Sequence, residues 1–130
     1  MSKGVGAWRP IVAILFMTAA VSLPLAARAQ ARPGAEGAFG RCAICHSTRA
    51  GAGPSIGPNL AGLLGRKVGS APGFTYSRAM AKADFVWDKA RLDAFLRAPQ
   101  TVVRGNRMAF GGISDAATRA DLVAYLASRS

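Results

Sequence analysis

The sequence predicts a small all-α domain with long loops. Three observations carry that expectation. Apolar residues recur at helical spacing after Trp87 and again near the C-terminus, each time behind a capping residue. No segment alternates as a strand would, and no hairpin dipeptide joins such segments. The stretch from Arg49 to Thr75 holds seven Gly and three Pro in 27 residues and has no sustained periodicity.

Lys3 and Arg9 precede an apolar run from Ile11 to Leu25, and Ala27-Arg28-Ala29 fits an A-x-A cleavage pattern. Residues 1–29 therefore read as a secretory signal peptide, cleaved after Ala29 or Ala31, with residues 30–130 as the mature domain. The alternative is a retained membrane anchor. About 15 apolar residues broken by Pro24 fall short of the roughly 20 that span a bilayer, so no stable span is expected.

Next, Ala35 to Arg41 is compatible with a short helix carrying Phe39 inward. The long irregular stretch 49–75 embeds Ile56, Leu60, Leu63, Leu64, Val68 and Phe74, which points to a loop wrapped round something rather than a disordered one. A brief helix fits Ser77 to Ala83. Asp88 can cap a helix with Leu92, Phe95 and Leu96 on one face, stopped by Pro99. Ser114 and Asp115 are cap candidates for a last helix that aligns Leu122, Tyr125 and Leu126.

The 130 residues carry 17 Lys or Arg against 6 Asp or Glu, a net charge of +11. Removing the leader takes away three positive charges and leaves +8 over 101 residues. Apart from Ala, the mature part has only 27 apolar side chains, few for folding against roughly 1–2 kcal/mol of backbone entropy per residue. Something else is expected to fill the middle. Nucleic acid is a poor partner for this basic chain, because export removes the opportunity and no reading motif is present.

Cys42-Ala43-Ile44-Cys45-His46 is the motif that carries chemistry. In an exported chain, C-x-x-C-H reads as the covalent attachment site of a c-type haem. Two thiols one turn apart can add to two vinyl groups on one porphyrin edge, and the adjacent imidazole then faces the iron. A disulfide here would close a very short loop and stabilise little. A zinc site would be one ligand short, and a thioredoxin-like pair would need a βαβ context. His46 is the only histidine, and outside the leader only Met80 and Met108 carry thioethers. Met108 lies in the glycine-bounded loop Gly105 to Gly112, whereas Met80 lies on the brief helix, where methionine is more often packing.

From the pentapeptide onward the chain resembles the class I cytochromes c, the bacterial relatives of mitochondrial cytochrome c and cytochrome c2. The likeness spans nearly all of residues 35–128. It rests on Cys42 to His46, Gly57 to Gly62, Gly65-Arg66-Lys67, Ala71 to Ser77, Phe85-Val86-Trp87, Gly105 to Phe110 and Asp121 to Leu126, with 62 residues from His46 to Met108. The resemblance implies three to five helices and long loops round one haem c, bound through Cys42 and Cys45. His46 and Met108 would be its iron ligands. It further implies that the Pro58 carbonyl accepts the other ring proton of His46. Tyr76 and Trp87 would hydrogen-bond a propionate, with Arg66 supplying positive charge nearby. Phe39, Leu122 and Tyr125 would join the first and last helices.

Three departures stand out. Arg104 occupies a position where the family usually has proline, Phe95 one where many members have tyrosine, and the mature part has 11 Arg but only 3 Lys. The first two lead one to expect an iron–sulfur bond more labile than in typical relatives.

The function so implied is a periplasmic monohaem one-electron carrier, monomeric and not an enzyme. Arg41, Arg49, Lys82, Arg104 and Arg107 flank the segments expected round the haem edge and suit acidic redox partners: a membrane oxidase, a bc1-type complex or a periplasmic dehydrogenase. The competing readings are a haem enzyme or gas sensor with an open sixth iron position, and a dedicated cytochrome subunit of one dehydrogenase.

Overall fold

The computed structural model describes Met1, Gly4 and residues 33–129, so the leader and its cleavage site fall outside the described residues apart from those two positions. Among the described residues five helices follow in order: α1 (Pro33–Phe39), α2 (Arg78–Lys82), α3 (Lys89–Arg97), α4 (Pro99–Val102) and α5 (Ala116–Ala127). A single 3-10 turn, Cys42–Ile44, follows α1. Among the described residues there is no strand, only an isolated bridge between Lys67 and Val86. None of their helices is long and apolar enough to cross a membrane.

The helix starts follow local chemistry. Ser77, Asp88 and Asp115 each sit in extended backbone and accept a hydrogen bond from the amide three residues on, at Met80, Arg91 and Thr118. α3 ends at Arg97, just before Pro99, as the proline leads one to expect. Pro99 then opens the separate short helix α4 at a position where its missing N–H costs nothing.

The core lies where α1 and α3 pack on α5. Leu122, fully buried, and Leu126 recur at i, i+4 on α5, and the Phe39 and Tyr125 rings lie 5.0 Å apart. Trp87 meets Phe85 and Phe95 edge-on at 5.0 and 5.1 Å, an arrangement favoured by the ring quadrupoles. In the long loop Leu63 and Val68 are buried, while Ile56 is 72% exposed and does not join the side-chain core. Asn59 shapes this loop by donating to the Arg49 and Ala52 carbonyls and accepting from the Ala61 amide.

Candidate functional site

The site is built round the 3-10 turn. Amides of Cys45 and His46 both donate to the Cys42 carbonyl, at 3.0 and 2.8 Å, which closes one turn and holds both thiols beside the imidazole. Both cysteines are free and half-buried. Burial pushes the Cys42 thiol above its ordinary pKa and Cys45 adds to the rise, while the Arg41 guanidinium pulls the other way. Among the described residues no three His, Cys, Asp or Glu side chains converge as a metal-ion ligand set.

His46 Nδ1 lies 2.8 Å from the Pro58 carbonyl. A carbonyl only accepts, so this contact puts the proton on Nδ1 and leaves Nε2 with its lone pair. Gly57 also packs against the ring: a Cβ there would overlap the imidazole at Cε1 and Nδ1 and crowd Nε2. Gly57 is buried, and its amide donates to the Cys45 carbonyl at 2.8 Å, tying the long loop to the cysteine turn.

Cys42, Cys45, His46 and Pro58 open onto one mostly apolar cavity of about 300 Å³. Arg66, Tyr76, Trp87 and Met108 line the same cavity, so the fold brings all eight sequence-derived site residues together. Met80 lines it as well, which helix periodicity alone did not indicate. The Arg66 guanidinium donates to the Ala61 and Asn59 carbonyls at 3.0 and 2.8 Å, which holds the charge at the cavity wall. The Tyr76 hydroxyl accepts from the Ala71 amide at 3.2 Å and so keeps its own proton to donate. Trp87 adds an indole N–H. An apolar slot bounded by two thiols, one oriented imidazole, thioethers and a set of anion-favouring donors fits a haem c with its two carboxylates.

Met108 sits in the loop between α4 and α5. Gly112, at φ 100°, packs so closely on the Arg97 carbonyl that a Cβ would overlap it, and the Ile113 amide donates to the Leu96 carbonyl at 2.8 Å. Arg119, with only 8% of its side chain exposed, then binds Asp93 of α3 and the carbonyls of Ile113 and Ser114 at 2.8–2.9 Å. The exit of the loop is thereby fixed to both long helices. Sequence reading missed Gly57 and Arg119, because neither a steric contact nor a buried cation betrays itself in periodicity.

No family model matches the chain. Whole-sequence comparison does find relatives. The chain is 43% identical to cytochrome c2 of Rhodomicrobium vannielii over 94 residues, covering 72% of this chain and 75% of that one. It is 44% identical to cytochrome c of Chlamydomonas reinhardtii over 86 residues, 66% of this chain and 77% of the other. Among solved structures, cytochrome cH from Methylobacterium extorquens superposes with a TM-score of 0.69 at 38% identity, covering 73% of this chain and 95% of its own.

Proposed function

The chain belongs to the class I cytochromes c, the family of cytochrome c2 and cytochrome c, and is a monohaem c-type electron carrier; from that premise we propose how its residues do the work and where. Cys42 and Cys45 form the two thioether links. His46 Nε2 and the Met108 sulfur would hold the haem iron. Pro58 fixes the imidazole tautomer and strengthens its donation by accepting the Nδ1 proton. Tyr76, Trp87 and Arg66 hold a carboxylate at the cavity wall. The haem supplies an iron that accepts and releases one electron without bonds to substrate being made or broken.

With His46 and Met108 holding the iron, no open position would remain for oxygen or peroxide, which suits a carrier rather than an enzyme. A thioether paired with an imidazole would also favour the reduced state and raise the potential. The leader pattern supports a periplasmic site of action. Exposed Arg41 and Arg107, both on the cavity lining, with Arg49, Arg104 and Lys82, steer acidic redox partners to the monomer.

The observation that carries this reading is the 2.8 Å contact of His46 with Pro58 beside two thiols, in an apolar cavity that Met108 also lines. The visible spectrum of the purified ferric protein tests it. Low-spin six-coordinate iron with the weak far-red band of methionine ligation is expected, lost in Met108→Leu and kept in Met80→Leu. A high-spin spectrum, or rapid carbon monoxide binding by the ferrous form, would instead favour the open-site haem enzyme or sensor.

A further inference from the structure

The loop that carries Met108 has Arg104 where a proline was expected, yet its entry is braced by side-chain amides. Asn106 is 7% exposed and spends all its polar groups within the loop. Its Nδ2 donates to the Val103 carbonyl at 2.8 Å, and its amide donates to the same oxygen at 3.1 Å. Its Oδ1 accepts the Met108 amide at 3.1 Å. Its own carbonyl accepts from Gln100 Nε2 at 2.9 Å, and Gln100 Oε1 accepts the Gly105 amide at 3.1 Å. Gln100 belongs to α4, directly behind α3, so the chain of bonds runs from the helical scaffold through Asn106 to the backbone of the methionine itself.

We propose that Asn106, braced by Gln100, is a positioning residue for the sixth ligand: it fixes the Met108 backbone so that the sulfur stays aimed into the haem cavity. This rests on the assignment of Met108 as ligand made above. The physical basis is population arithmetic. A single soft iron–sulfur bond competes with any exogenous ligand, whose apparent affinity scales with the fraction of protein in which the loop has let go. A buried donor or acceptor left without its partner makes that release more favourable. The rigidity that a pyrrolidine ring would supply by restricting φ is supplied here by two carboxamides, and the laxer loop expected from Arg104 is countered.

The test is imidazole binding to the ferric holoprotein of the wild type, Gln100→Ala, Asn106→Ala and the double variant, together with each reduction potential. Gln100 is exposed, so its variant keeps the core intact. Gln100→Ala is expected to bind imidazole about tenfold more tightly, the effect of one to two net hydrogen bonds on the closed loop. Asn106→Ala is expected to bind it at least as tightly as Gln100→Ala, both with lowered potentials. Gln100 bonds the Asn106 carbonyl and the Gly105 amide, backbone groups that Asn106→Ala retains, so the double variant should bind imidazole more tightly than either single variant. Wild-type affinity and potential in Gln100→Ala, or in Asn106→Ala, would overturn the proposal. If the wild type itself lacks the far-red band, the Met108 assignment fails and this inference with it; an unaffected Gln100→Ala in a protein that has the band defeats the brace alone.

Discussion

Gly57 faces the His46 imidazole so closely that the ring occupies the space of any side chain at position 57. With Pro58 accepting the Nδ1 proton from the next residue, two consecutive positions set both the plane and the tautomer of the histidine. Gly57→Ala must push the ring away or open the loop. The expected result is weakened iron ligation, seen as high-spin character in the ferric spectrum and a reduced yield of haem-loaded protein. A wild-type spectrum at wild-type yield would contradict the steric account.

Arg119 is the one buried cation in the link between α3, α5 and the exit of the methionine loop. Replacing it with Leu strands the Asp93 carboxylate and frees the Ile113 and Ser114 carbonyls. Breaking such a pair costs about 3 kcal/mol, at the low end of the range because Asp93 is partly exposed. Lys offers one nitrogen where the guanidinium fork reaches three acceptors, so Arg119→Lys should recover less than half of the loss. Urea unfolding with an unchanged m-value measures both.

Asp115 caps α5. Hydrogen bonds from the Thr118 hydroxyl first, and then from its amide, hold the carboxyl below its ordinary pKa, and Arg119 nearby acts in the same direction. A depressed carboxylate stabilises the folded state above its unfolded pKa, and that contribution is lost as pH falls through the folded value. Asp115→Asn retains an acceptor but not the charge. Its unfolding midpoint should lie below the wild type near neutrality and converge with it in acid, where both side chains are neutral. A gap that stays constant with pH would refute the linkage.

The basic rim predicts strong salt dependence. The second-order rate of electron transfer with an acidic redox protein should fall by roughly tenfold or more between about 10 and 200 mM salt, as the Debye length contracts from about 30 to below 10 Å. Charge reversal at Arg41 and Arg107 should flatten that slope, because both line the haem cavity and are exposed. An unchanged slope would move the docking face elsewhere.

Helix-forming segments were legible because capping is local. Asp88 and Asp115 can be read as caps from the sequence, and each makes the expected bond; the cap at Ser77 emerges only from the structure. The pentapeptide was legible because its chemistry is encoded in five consecutive positions. What escaped depends on contacts between distant segments. The helix α4 lies behind a proline that reads as a stop, although the same ring is preorganised for a first helical turn. The Asn59, Gln100 and Asn106 carboxamides look like ordinary loop residues until the carbonyls they serve are known. Met80 lines the cavity from α2, where Gly69 packs so closely on the Met80 carbonyl that a Cβ would overlap it, a contact between distant segments.

The central claim is that one haem completes the interior of this chain, bonded to Cys42 and Cys45. Intact-mass spectrometry of the purified protein, followed by mapping of its proteolytic peptides, tests it most directly. The account predicts the mass of the polypeptide plus one haem, with the addition confined to the peptide that contains both cysteines and resistant to acid extraction. A mass equal to the bare polypeptide, or a haem that acid removes, would contradict it.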